Sequence, residues 1–150
     1  MTSTEKNDKN SGALVTNPIV SVKDPKKFNQ QLLEGRISQY KNIPSSATEV
    51  IFFDRGIPDV HAYMNCFGQG YDADFEQPCY DYRYDQILLM PPWQEIHVID
   101  NERFESFEEA IRIYQSLKKA YTDFGYSVTL IPKGSVEERT IFILNRLNLN

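Results

Sequence analysis

Thr48-Glu-Val-Ile-Phe-Phe-Asp-Arg-Gly-Ile-Pro-Asp-Val-His-Ala-Tyr-Met64 is the stretch on which the fold turns. Val50 to Phe53 is an unbroken run of β-branched and aromatic residues, which predicts a parallel strand covered on both faces. The run stops at Asp54-Arg55, Gly56 loosens the backbone, and Pro58 sits where a helix can begin. Val60, Tyr63, Met64 and Phe67 then mark one helical face, and Gly68 reads as its stop. A buried strand would thus deliver an acid and a base to its carboxyl end, the edge of an open α/β sheet where ligands bind.

Composition narrows the classes around this unit. A chain of 150 residues, 41% hydrophobic and 25% charged, has the size and balance of one soluble globular domain. Its formal net charge of −5 argues against a broad nucleic-acid surface. No apolar run approaches membrane-spanning length, and the first residues lack the apolar core of a signal peptide. Cys66 and Cys79 show no CxxC spacing, and His61 and His97 are isolated, so no metal site is read from them. The expectation is a cytoplasmic protein with two reduced thiols.

Outward from the organising stretch, residues 1–16 are polar and rich in Ser, Thr, Asn and Lys, and read as a disordered tail. Asp24-Pro25 suits a helix start, with Phe28, Leu32, Ile37 and Tyr40 as its stripe. After Gly68 the chain reads as irregular through the tyrosine-rich Tyr80 to Tyr84, whose rings are expected to pack beneath a loop. Ile87 to Met90 predicts a second strand ending at Pro91-Pro92-Trp93. Residues 94–105 carry alternating charge and no periodicity, and read as an excursion. Ser106 to Glu109 is a capping-box pattern ahead of a long amphipathic helix closed by Gly125. Val128 to Ile131 predicts a third strand, and Ser135 to Glu138 opens a final helix. Strands alternating with helices predict a parallel α/β sheet with right-handed crossovers.

An apolar strand ending in Asp has the form of a Walker-B element, whose carboxylate holds magnesium beside a nucleotide. Arg55 adds a bidentate fork for phosphate or carboxylate. The spacing fits equally a polar Asp54–Arg55 pair that only caps the neighbouring turn. Arg103 reads as a lid arginine or as a solvated surface charge. Lys133-Gly134-Ser135 reads as backbone N–H groups offered to a ligand, or as a well-formed helix start.

Five segments recur in order: Phe52-Phe53-Asp54-Arg55-Gly56-Ile57-Pro58-Asp59-Val60, Arg83-Tyr84-Asp85, Leu88-Leu89-Met90-Pro91-Pro92-Trp93, Asp100-Asn101-Glu102-Arg103 and Pro132-Lys133-Gly134-Ser135-Val136-Glu137-Glu138-Arg139. As a set they resemble the AAA-type P-loop ATPase family that includes the kinase domain of NadR-like (ribosylnicotinamide kinase-like) proteins. The resemblance covers roughly residues 17–147. It implies a three-layer P-loop NTPase-like α/β fold, ATP and Mg2+ as cofactors, and a nucleotide and a small-molecule phosphoryl acceptor as partners. It further implies Asp54 as magnesium ligand or general base, Arg55 as phosphate or substrate anchor, Arg103 as the lid charge, and Lys133, Gly134 and Ser135 beside the nucleotide.

The family's opening strand and its G-x-x-x-x-G-K-[ST] loop have no counterpart here. The seven glycines stand at 12, 35, 56, 68, 70, 125 and 134, and none begins that pattern. The expectation is therefore that residues 17–150 form the carboxyl-terminal part of a P-loop kinase- or ATPase-like domain, truncated or inactive, with first strand and Walker A missing. The missing strand would lie between those ending in Asp54 and Met90, and Ile19–Val22 is one segment able to fill that slot. The alternatives are a non-catalytic interaction domain derived from a P-loop kinase, and an unrelated α/β protein in which Asp54–Arg55 is structural.

Overall fold

A computed structural model describes residues 23–97 and 106–149. The polar tail 1–16, the segment Ile19–Val22 and the excursion's Arg103 lie outside the described residues.

Helix α1 (Pro25–Lys41) starts as its sequence demands: Asp24 accepts from the Lys27 N–H at 3.0 Å, and Pro25 occupies the first turn, where no N–H is needed. Helix α2 (Ile57–Cys66) buries Ile57, Pro58, Val60, His61, Ala62 and Met64. Its apolar residues run almost all round, as they must in a helix enclosed by others. Helix α3 (Ala73–Asp81) lies where the sequence reads as irregular. Asp72 caps it by accepting from Phe75 N–H at 3.0 Å, and Cys79 is its buried residue. Pro78 inside the helix masked it, yet the i, i+3, i+4, i+7 spacing of Phe75, Pro78, Cys79 and Tyr82 was the available signal.

Strand β1 (Ile87–Leu89) leads to a 3-10 turn at Gln94–Ile96, inside the stretch read as an excursion. Helix α4 (Phe107–Asp123) is capped by the Ser106 side chain, which accepts from Glu109 N–H at 3.1 Å, and Gly125 turns the chain with φ 90°. Strand β2 (Val128–Leu130) pairs in parallel with β1, Ile87 opposite Val128 and Leu89 opposite Leu130. Helix α5 (Val136–Arg146) carries the full capping box expected of Ser135 and Glu138.

The described fold is thus helix-rich α/β with a small parallel sheet. Its core sits mainly among helices: Leu33, Ile57, Ala62, Cys79, Ala120 and Phe124 form one buried cluster, with Tyr82, Tyr84 and Tyr126 packed on it. The tyrosine-rich stretch therefore packs, as expected. Arg83 secures it by donating to the Cys79 and Phe124 carbonyls at 3.2 and 2.7 Å while lying 3.8 Å over the Tyr126 ring.

A further expectation is overturned. Val50 to Phe53 is not a strand, and Val50, Ile51 and Phe52 are 47%, 42% and 61% exposed, while Phe53 is half-buried. A parallel strand exists only where neighbours accept and donate its backbone hydrogen bonds. Among the described residues β1 pairs with β2 alone, so nothing holds residues 50–53 in the sheet, whatever their β-propensity.

His61 and Cys79 place two titratable groups in this core. Nε2 of His61 lies 2.7 Å from the Phe75 carbonyl, and the Cys79 Sγ lies 3.4 Å from Nδ1. The geometry fits a neutral ring donating from Nε2 and accepting the thiol proton at Nδ1. Burial lowers the His61 pKa, partly opposed by the Phe75 and Ile57 carbonyls, and burial pushes the Cys79 thiol up to about 12. The pair packs as neutral groups and not as a thiolate–imidazolium nucleophile.

These burials set a pH window. As pH falls through 6.5 the unfolded chain takes up the histidine proton that folded His61 resists, so its contribution is lost below that value. Above 9.0 the unfolded thiol releases its proton while folded Cys79 holds it to about 12, and burial raises Tyr84 from 10.0 to about 12 with the same sign. Urea midpoints are expected to be highest between pH 6.5 and 9.0 and to fall on both sides. A midpoint that stays level up to about pH 11 would contradict the neutral burial of these groups.

Candidate functional site

The Asp54-Arg55-Gly56 turn is where sequence reading places the chemistry, and its geometry starts with the backbone. Arg55 holds φ 80°, the left-handed region that a non-glycine residue rarely enters. Gly56 at φ −111° needs no special conformation but has no room for a side chain. A Cβ there would lie 2.5 Å from the Tyr121 hydroxyl and 3.1 Å from the Tyr84 ring. The turn is therefore clamped between α4 and the lead-in to β1.

Three hydrogen bonds make the clamp. Asp59 accepts from Gly56 N–H at 3.0 Å and from the Tyr121 hydroxyl at 2.5 Å. The Tyr84 hydroxyl takes the Ile57 N–H at 3.0 Å. The first free N–H groups of α2 are thus satisfied internally and are not offered to an anion. Tyr121 is buried, and burial, followed by the Asp59 carboxylate, raises its pKa, so it stays a donor.

Asp54 and Arg55 themselves are exposed. The Arg55 guanidinium donates to the Tyr63 hydroxyl at 3.1 Å and lies 5.6 Å over that ring. Arg55 borders an apolar groove of about 810 Å³, walled by residues 50–53 on one side and by Gln86, Ile87, Leu88 and Met90 on the other. Phe53 packs on Tyr40 and Tyr84, so this turn sits toward the amino end of β1.

Lys133, Gly134 and Ser135 follow the carboxyl end of β2. Lys133 lies 3.7 Å from Glu95 and 5.9 Å over Trp93. The Ser135 N–H is donated to Glu138 at 2.8 Å, and a Cβ on Gly134 would meet the same carboxylate oxygen at 2.6 Å. A carboxylate thus stands where the backbone N–H would meet a phosphate. The described side-chain contact of Arg55 is with Tyr63 of α2, and those of Lys133 are with Glu95 and Trp93.

The donors required for magnesium and phosphate can be tested on these residues. Among the described residues no three His, Cys, Asp or Glu side chains are grouped to hold a metal ion, and Asp54 stands without companion ligands. The described residues do not assemble a cradle for ATP and Mg2+. The residues that sequence reading missed are Asp59, Tyr84 and Tyr121; the first lay inside the quoted motif, but its partner Tyr121 is 62 positions downstream, and Tyr84 meets Ile57 across 27 positions. Among the described residues no helix is long and apolar enough to cross a membrane.

The profile of a family described as AAA domain matches residues 6–139 of the chain. No curated protein and no solved structure matches it.

The clamp makes a coupled prediction. Gly56→Ala is expected to destabilise the fold by about 1–3 kcal/mol, the usual range for overpacking. Tyr121→Phe removes a hydrogen bond to a carboxylate, worth about 1.5–3 kcal/mol. It also removes the atom that the new methyl meets, so the double variant should lose less than the two single losses added together. Strict additivity in urea unfolding would show that Gly56 and Tyr121 do not share this contact.

Proposed function

The chain belongs to the AAA domain family, and from that premise we propose that it is a P-loop NTPase-like domain whose chemistry is phosphoryl transfer, as in an ATPase or a NadR-like small-molecule kinase. The proposal includes the three-layer P-loop arrangement and a cytoplasmic setting. The observation that carries it is the Asp54–Arg55 pair: an exposed acid and base in the family-matched segment, with Arg55 bordering a groove and held in a strained backbone conformation. Strain of that kind, on the order of 1–3 kcal/mol, concentrates where function over-determines the backbone.

In this reading Arg55 binds the anionic end of the substrate. Its planar fork suits phosphate, and Tyr63 holds it in place. Asp54 accepts the proton of a hydroxyl acceptor as general base. When bound, ATP with magnesium would supply the transferred group; because the described residues form neither a phosphate cradle nor a metal set, this chain alone is expected to turn ATP over at background rate. A second reading, a non-catalytic interaction domain, is favoured by the exposed apolar wall at Val50, Ile51 and Phe52.

Calorimetric titration of the 150-residue chain with metal-free ATP tests the assignment. Arg55→Ala should weaken binding by about tenfold or more, the worth of one charge-assisted hydrogen bond. Asp54→Asn should tighten it, by removing a like charge beside the anion. Both variants should melt like the parent, since exposed substitutions shift stability by only about 0.5 kcal/mol. Unchanged ATP affinity in Arg55→Ala would count against the anion role. Magnesium-dependent turnover abolished by Asp54→Ala would overturn the background-rate expectation.

A further inference from the structure

Exposed apolar side chains gather along one groove. Val50, Ile51 and Phe52 stand on one wall, Met90, 59% exposed, ends the other, and Ile143 and Leu147 of α5 complete the lining. Single exposed hydrophobic residues are ordinary, but this many in one cleft mark a binding surface. At about 810 Å³ the groove falls within the range of about 300–1,000 Å³ typical of small-molecule sites. Such sites pair apolar walls with a few placed polar groups, and those groups dictate the polar end of the ligand.

The charged residues of the lining are Glu49, Arg55, Arg83 and Asp85. Arg83 is engaged inside the fold, with the Cys79 and Phe124 carbonyls and the Tyr126 ring. Glu49 and Asp85 are exposed, where water solvates a carboxylate without a protein partner. Arg55 differs from all three. Its guanidinium carries several N–H donors, and among the described residues it meets the neutral Tyr63 hydroxyl and no carboxylate within ion-pair distance. A planar fork of this kind, beside apolar walls, suits one oxyanion bound through paired N–H groups.

Each simpler occupant leaves part of the groove unsatisfied. A hydrocarbon without a head would cover the walls and leave Arg55 without an anion. Inorganic phosphate would pair with Arg55 and leave the walls wet. A molecule with one anionic head and an apolar chain answers both. We propose that the groove binds a free fatty-acid-like anion, with its carboxylate on the Arg55 guanidinium and its unbranched chain along Val50, Ile51, Phe52 and Met90. This ligand rests on the anion role given to Arg55 above and adds an apolar body to it.

Calorimetric titration of the full 150-residue chain with monomeric dodecanoate tests this. A single saturable site per chain is expected. Acetate, the head without the chain, and dodecanol, the chain without the charge, should each bind at least about tenfold more weakly. Arg55→Ala should weaken dodecanoate binding by about tenfold or more, and Phe52→Ser by about fivefold or more. Both positions are exposed, and a urea midpoint close to that of the parent confirms an intact fold. If either variant unfolds, the three ligands compared on the parent chain decide alone. Equal binding of dodecanol, or binding only to vesicles or above the micelle concentration, overturns the proposal. So does an absence of dodecanoate binding, and a chain that is then dimeric by light scattering assigns the groove to a second copy. If dodecanoate fails while Arg55→Ala still weakens ATP, the fatty-acid ligand falls and the nucleotide reading stands. If Arg55→Ala weakens dodecanoate and leaves ATP unchanged, the nucleotide reading falls and the fatty-acid ligand stands.

Discussion

The hydrogen bonds that Asp59 accepts hold the rest of the structure in register. One carboxylate oxygen takes the Gly56 N–H and the Tyr121 hydroxyl, joining the start of α2 to the end of α4. Tyr84 completes the joint from the lead-in to β1 by taking the Ile57 N–H. Because α2 is the most enclosed helix, its placement decides which faces of α1, α3 and α4 can be buried. The clamp flanks Arg55 on both sides: Phe53 is held against Tyr40 and Tyr84, and Gly56 is held against Tyr121.

The same economy governs polar groups in the core. His61 and Cys79 are buried as a neutral pair that satisfies itself through the Phe75 carbonyl and one weak thiol hydrogen bond. Ionising either would strand a charge in an apolar setting. The groups left for chemistry are the exposed ones, Asp54 and Arg55, and Arg55 borders an apolar cleft of about 810 Å³. At the other candidate, Lys133 to Ser135, the local helix start consumes what it would offer a ligand, since Glu138 takes the Ser135 N–H. A capping box and an anion site compete for the same donors.

Much of this was legible beforehand because it is local. Asp24-Pro25, Ser106 and Ser135 name helix starts through side chains that reach three residues ahead, and Gly125 names an end through its positive φ. The apolar runs at 87–90 and 128–131 became the two strands. Helix α3 escaped notice because Pro78 is the strongest local signal against a helix, and it was outweighed by burial of Cys79 and by the bond that Phe75 receives from His61.

By itself the sequence determined the starts of α1, α4 and α5, the α/β class and the AAA family, all of which depend on periodicity, caps and ordered motifs within short windows. Only the tertiary structure decided that Val50–Phe53 is not a strand, and that Asp59 is the carboxylate that joins α2 to α4. The reason is the same in each case. A strand is defined by a neighbour, a clamp by a partner such as Tyr121, 62 residues away, and a site by which loops the packing brings together.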